Sequence, residues 1–98
     1  MAAQRYFTKE KASIEVYGRS GNIIASVKNV SVTGACLEWS QEQVELKAGD
    51  LVRLTIVLKA VNRKHNLNAE VVWRHGKKTG VNFIKSEEVL DRLMDKEL

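Results

Sequence analysis

The sequence predicts an all-β domain with one C-terminal helix, and three observations lead there. Short apolar runs recur along the chain, and each is bounded by Gly, Asn, Asp or Ser. Six such runs can be traced before residue 85. Beyond it, apolar residues recur at helical rather than strand spacing. Short strands in this number, at near-regular spacing, build a barrel or a sandwich.

The first eleven residues form a polar, basic arm, with Arg5, Lys9 and Lys11 against Glu10. Residues 13–17 mix alternation with β-branched side chains and read as the first strand. Gly18-Arg19-Ser20-Gly21-Asn22 follows as a turn, since glycine and asparagine accept backbone angles that other residues resist. Residues 23–28 are the second strand and 35–39 the third. A polar stretch then ends in Lys47-Ala48-Gly49-Asp50, where Asp50 has the role of a turn carboxylate. Residues 51–58 are the clearest strand, with a β-former or leucine at nearly every position. Residues 68–73 and 81–84 complete the set, joined through His75-Gly76-Lys77-Lys78-Thr79-Gly80. Trp39, Trp73 and Phe83 lie inside strand runs and read as core side chains. In the tail, Ser86 can cap a helix, and Glu87 and Glu88 suit its positive first turn. Val89, Leu90, Leu93 and Met94 line one face, which packs on the β-core.

Ninety-eight residues allow one domain, and the 44% hydrophobic content suffices for a single core. No apolar run reaches the roughly 18 residues of a membrane span. The basic start has no apolar segment of the kind a signal peptide needs. A lone Cys36 forbids an internal disulfide and points to a reducing cytoplasm, with the thiol packed as a small hydrophobe.

The net charge of +4 is unevenly spread. Residues 63–78 carry Arg63, Lys64, Arg74, Lys77 and Lys78 against Glu70, whereas residues 38–50 are acidic. Such asymmetry fits a phosphate-bearing partner. Catalysis finds little support. His65 and His75 sit in basic, turn-rich stretches without a Cys or His at metal-ligand spacing, and no nucleophile motif is present. Residues 18–21 look like a phosphate loop but join two strands.

One segment stands apart: Asn29-Val30-Ser31-Val32-Thr33-Gly34 places an amide, a hydroxyl and a glycine between two strand runs. All three are turn formers, and Gly34 is expected to supply a positive φ. Asn29, Ser31 and Gly34 match the Asp/Asn-x-Ser-x-x-Gly motif, and Arg5-Tyr6-Phe7-Thr8-Lys9 approximates Arg-x-x-x-Arg. Leu46-Lys47-Ala48-Gly49-Asp50, Ala69-Glu70-Val71-Val72-Trp73 and Gly80-Val81-Asn82-Phe83 add further agreement, in order, over roughly residues 4–94. In these features the chain resembles the PilZ domain family, bacterial receptors for cyclic di-GMP.

The resemblance implies a six-stranded antiparallel β-barrel over residues 12–98, with a C-terminal helix and the arm 1–11 ahead of it. It implies a non-enzymatic receptor whose ligand, cyclic di-GMP, is held by Arg5, Lys9, Asn29, Ser31 and Gly34, without metal or other cofactor. The chemistry suits the ligand's two guanines and two phosphates. An arginine presents paired donors to guanine O6 and N7 or to phosphate, and it stacks on bases. Asn29 can accept from a guanine N–H, and Ser31 can donate to a phosphate. Lys9 departs from the motif: it keeps the charge but loses the planar fork. A charged hydrogen bond contributes roughly 1.5–3 kcal/mol, so this change weakens the site. The alternative reading is therefore a protein–protein interaction module that has kept the fold and lost the ligand. An effector protein partner is expected in either case. A nucleic-acid-binding barrel ranks third, because stacking platforms need exposed aromatics and only Tyr6 and Phe7 qualify.

Overall fold

The computed structural model describes residues 6–7, 10–58, 63–85, 88–89 and 94. The apolar runs form strands β1 (Tyr6–Phe7), β2 (Lys11–Val16), β3 (Ile23–Val30), β4 (Gly34–Glu38), β5 (Leu51–Leu58), β6 (Arg63–His75) and β7 (Lys78–Ile84). Every pairing is antiparallel. The strands run in the order β3-β2-β5-β6-β7-β4, and β4 returns to pair with β3. The ring closes as a six-stranded barrel, so these strands leave no open lateral edge for another chain to pair with.

Alternation explains which side chains fill it. In β2, Ala12 and Ile14 are buried while Lys11 and Glu15 face outward. Their partners in β5, Ile56 and Leu54, are buried too, because directly opposed residues share a face. Ile14, Val27, Leu37, Val52, Leu54 and Val71 are the largest apolar side chains removed from water, and Trp39 and Leu46 extend the same core. Burying one such side chain fully is worth about 1.5–3 kcal/mol, so this cluster dominates the fold's stability.

The strands outrun their sequence signals at the polar ends. β6 begins at Arg63 rather than 68, because residues 63–67 pair with β5 across Leu54–Leu58. β7 begins at Lys78, and β3 runs on through Asn29 and Val30. A short strand, β1, also forms within the basic arm. Tyr6 and Phe7 pair with Val30 and Asn29, alongside the stretch of β3 just beyond its pairing with β2. The turns follow sequence chemistry more closely. Gly18 and Gly21 both take positive φ, and the Asp50 carboxylate accepts from the Lys47 N–H at 3.0 Å across a turn in which Gly49 has φ 94°.

Two β-bulges interrupt the regular alternation. One lies in β3 between Val27 and Asn29, the other in β6 between Val71 and Trp73. Each inserts one residue, Lys28 or Val72, and a one-residue insertion transfers the following side chain to the opposite face. Trp73 is thereby turned out of the core and is 36% exposed, whereas Trp39 is buried as expected. Phe83 is partly buried and packs against the core.

Arg74 is more than part of a solvated basic surface. Its guanidinium donates to the carbonyls of Val44 and Leu46, at 2.6 and 3.0 Å, and to Gly76. It also lies 5.1 Å from the centroid of the Trp39 ring. Arg74 thus ties the connection between β4 and β5 to the barrel, together with Arg19, which donates to the Glu45 carbonyl, and Lys77, which donates to Ser40 and Glu42. Most of the expected C-terminal helix lies outside the described residues. Of that segment, Val89 is buried and the Glu88 N–H donates to the Lys85 carbonyl, whereas Met94, expected on the packed face, is exposed.

Candidate functional site

The segment 29–34 is less a free loop than a tight hairpin connection. Asn29 and Val30 end β3, Gly34 opens β4, and the Ser31 N–H donates to the Gly34 carbonyl at 2.8 Å. Ser31 is buried, and its hydroxyl oxygen accepts from the Thr33 N–H at 3.3 Å while lying 3.1 Å from Thr33 Oγ1. Serine suits this position because a short hydroxyl side chain can fold back onto its own turn. Ser31 thus shapes the connection, and Val32 stands exposed at its tip.

Gly34 is needed for a different reason from the one its motif suggests. Its φ is not positive. A Cβ at this position would overlap the Val81 carbonyl oxygen, and the neighbouring Thr33 carbonyl accepts from Phe83 N–H at 2.8 Å. The glycine therefore permits close approach of β4 to β7, which holds the hairpin tip against the barrel.

The strand registers bring the arm, the motif and β6 into one row. Phe7 pairs with Asn29, Asn29 with Cys36, Cys36 with Gly80, and Gly80 with Trp73. Adjacent strands lie about 4.8 Å apart, so the row follows an arc of about 19 Å from Phe7 to Trp73. Both bulges adjoin this row, one just before Asn29 and the other just before Trp73. A shallow cleft of about 210 Å³ lies along its β4–β7–β6 part, lined by Gly34, Cys36, Val72, Trp73, Gly80 and Asn82 among others. Cys36 is half-buried on the outer face, where it faces this cleft instead of packing in the core. The Trp73 indole lies over Gly80, so closely that a Cβ there would collide with the ring. The Trp73 and His75 rings are 5.6 Å apart at a 42° tilt.

Two residues along β4 from Cys36, Glu38 is approached by two ammonium groups, Lys28 at 3.2 Å and Lys78 at 3.9 Å. Two cations on one carboxylate leave this rim net positive, a setting that favours an anion. An aromatic plane, a half-buried polar floor and a positive rim together form a surface suited to a base-bearing phosphate compound.

Of the sequence-derived candidates, the structure brings Asn29, Ser31 and Gly34 together beside this cleft. Arg5 and Lys9 lie outside the described residues. Tyr6 and Phe7, which separate them, pair directly with the start of the motif. Trp73, Cys36 and Gly80 were not singled out as site residues by sequence. The available signal was the run Val71-Val72-Trp73, where three successive apolar residues break the two-residue period.

Comparison with known proteins agrees with this architecture. The sequence model of the PilZ domain matches residues 2–96. No curated protein matches the chain significantly. Among solved structures, the PilZ domain of CeSA from a cellulose-synthesising bacterium superposes with a TM-score of 0.71 at 14% identity, over 94% of this chain and 92% of that one. The Bacillus subtilis inhibitor of motility, MotI/DgrA, gives 0.62 at 16% identity over 96% of this chain, which spans 48% of that protein. An uncharacterised Legionella protein gives 0.52 at 21% identity, with 96% and 97% covered. At these identities the superpositions speak for the fold, and the sequence match over nearly the whole length speaks for descent. The chain belongs to the PilZ domain family.

Proposed function

We propose that this domain is a non-enzymatic receptor for cyclic di-GMP, with the ligand held between the N-terminal arm and the cleft beside Gly34. PilZ domains generally act as receptors or adaptors for this messenger, which sets the class of ligand. The observation that carries the reading is the cross-strand row Phe7, Asn29, Cys36, Gly80 and Trp73, which joins the arm to the motif and the motif to an exposed indole. Arg5 and Lys9 stand in sequence on either side of Tyr6–Phe7, the strand that enters this row. Arg5 pairs with a phosphate or reads a guanine edge, and Lys9 supplies a point charge. The Asn29 carboxamide hydrogen-bonds a guanine edge, Trp73 offers a face for a base, and the Ser31–Gly34 hydrogen bond keeps the hairpin in shape.

Titration calorimetry with cyclic di-GMP, paired with amide shifts on the labelled chain, tests this directly. Binding is expected with shifts at residues 5–9, 29–36 and 73–80, and Arg5→Ala abolishes it. Absence of both heat and shifts at micromolar ligand overturns the reading. The lysine at position 9 favours a second reading, in which the barrel serves only as a protein-interaction module. Lys9→Arg strengthens binding if the native chain is a receptor; under the second reading the native chain binds no nucleotide.

A further inference from the structure

On the far side of the barrel, we infer a second recognition surface: a docking face for an acidic, amphipathic segment of a partner protein, centred on Val57 and Ile24 between Lys11 and Lys64. In the ring order β3-β2-β5-β6-β7-β4, the β2–β5 seam lies three strands from the β7–β4 seam that carries the cleft beside Gly34. The two surfaces therefore face away from each other, and a partner on one leaves the other open.

Two registers build this face. Ile24, Ser13, Thr55 and Asn66 form one row across β3, β2, β5 and β6, and Ser26, Lys11, Val57 and Lys64 form the next. Between them lies a cleft of about 250 Å³, lined by Lys11, Ala12, Ser13, Ile24, Val57 and Lys64 together with Thr55. Ile24, near the start of β3, is 52% exposed and lines this cleft beside Val57. The Ser13 hydroxyl lines the same cleft, is shielded from solvent and makes no hydrogen bond among the described residues. A buried hydroxyl without a partner is costly, and an incoming polar group would relieve it.

Charge identifies the occupant. Lys11 and Lys64 stand on either side of Val57, two strand spacings or about 10 Å apart. Lys11 reaches only the Ser26 hydroxyl, at 3.2 Å, and Lys64 is exposed. Among the described residues, neither lysine has a carboxylate within ion-pair distance, whereas Lys28, Lys77 and Lys78 all do. An apolar seat between two ammonium groups that have no carboxylate partner among the described residues complements a segment with an aliphatic side chain flanked by carboxylates. The inference does not depend on nucleotide binding.

The test titrates the full labelled chain with an amphipathic peptide of leucine and glutamate, and with the same peptide carrying lysine for glutamate. The acidic peptide is expected to shift the amides of Lys11, Ser13, Ile24, Thr55, Val57 and Lys64. The double variant K11E/K64E weakens it at least about tenfold and takes up the basic peptide instead, because like charges at an interface repel strongly. I24D weakens both. The proposal is overturned if the two peptides bind the native chain equally, or if the shifts map elsewhere or are absent. It is equally overturned if native chains self-associate through this face and I24D abolishes that association, since the occupant is then a second copy. The charge-swap variant replaces exposed side chains only, and its amide dispersion reports whether it folds.

Discussion

The indole of Trp73 occupies the space that a Cβ on Gly80 would need. The two residues are directly paired across β6 and β7, and Gly80 in turn opposes Cys36 of β4. An aromatic ring laid over a cross-strand glycine is pinned on one side by backbone and open to solvent on the other. The bulge at Val72 aims the ring outward, and Gly80 lets it lie flat beside the cleft.

Gly80→Ala therefore displaces the ring. Because Trp73 is partly exposed, the indole can swing away, and the stability cost stays at about 1 kcal/mol. The expected signature is a change in tryptophan fluorescence and near-ultraviolet circular dichroism, with a small shift in the urea midpoint. Under the receptor reading, Trp73→Ala weakens cyclic di-GMP binding by about 1–3 kcal/mol, the usual worth of one stacked base. Calorimetry measures it, and an unchanged affinity removes Trp73 from the site.

Gly34→Ala behaves differently, since the added methyl meets the backbone carbonyl of Val81 and no side chain can move aside. Strand β4 must separate from β7, and a loss of about 3 kcal/mol is expected from the overpacking. Chemical denaturation of the two glycine variants, run together, should rank Gly34 well above Gly80.

Arg74→Ala removes three carbonyl hydrogen bonds and the contact with the Trp39 ring. The expected cost is about 2–4 kcal/mol, from hydrogen bonds to a charged group and a cation–π contact. Arg74→Lys restores the charge but not the second nitrogen: one guanidinium nitrogen serves Val44 and Leu46 while Nε serves Gly76, so lysine recovers only part of the loss. Unfolding midpoints of both variants give the answer, and full rescue by lysine would show that charge alone matters.

Glu42 and Lys77 meet at 2.7 Å. The hydrogen bond from Lys77, reinforced by its charge, holds the Glu42 carboxyl below the ordinary value. A carboxylate lowered on folding stabilises the native state at neutral pH, and that contribution disappears as pH falls through the lowered value. Glu42→Gln should thus be less stable than the native chain near neutrality and equal to it in strong acid. The pair is fully exposed at its acidic end, so added salt should shrink the difference at neutral pH.

Much of this fold can be read from single residues and their periods. Residues 51–58 carry a β-former or leucine at nearly every position, and β5 occupies that span. Gly18, Gly21 and Gly49 sit where turns demand positive φ, and they take it. Asn29, Ser31 and Gly34 are recognisable as a motif, although Gly34 serves close packing rather than a left-handed turn. The extension of β6 back to Arg63 was not legible. Lys64, His65 and Asn66 are polar and gain their strand structure from pairing with β5.

The sequence by itself determined an all-β chain, the turns, the motif at 29–34 and a family whose members share them. Each rests on local chemistry or on a period, which short stretches of chain express without help. Tertiary structure alone decided which face Asn29 and Trp73 present. Strict alternation would send both inward, with Val27 and Val71. A single extra residue in each strand reverses them, and where it is accommodated depends on the register of the partner strand. The cleft that Trp73 lines, one strand from Asn29, lies along a row that two bulges, far apart in sequence, border in one closed barrel.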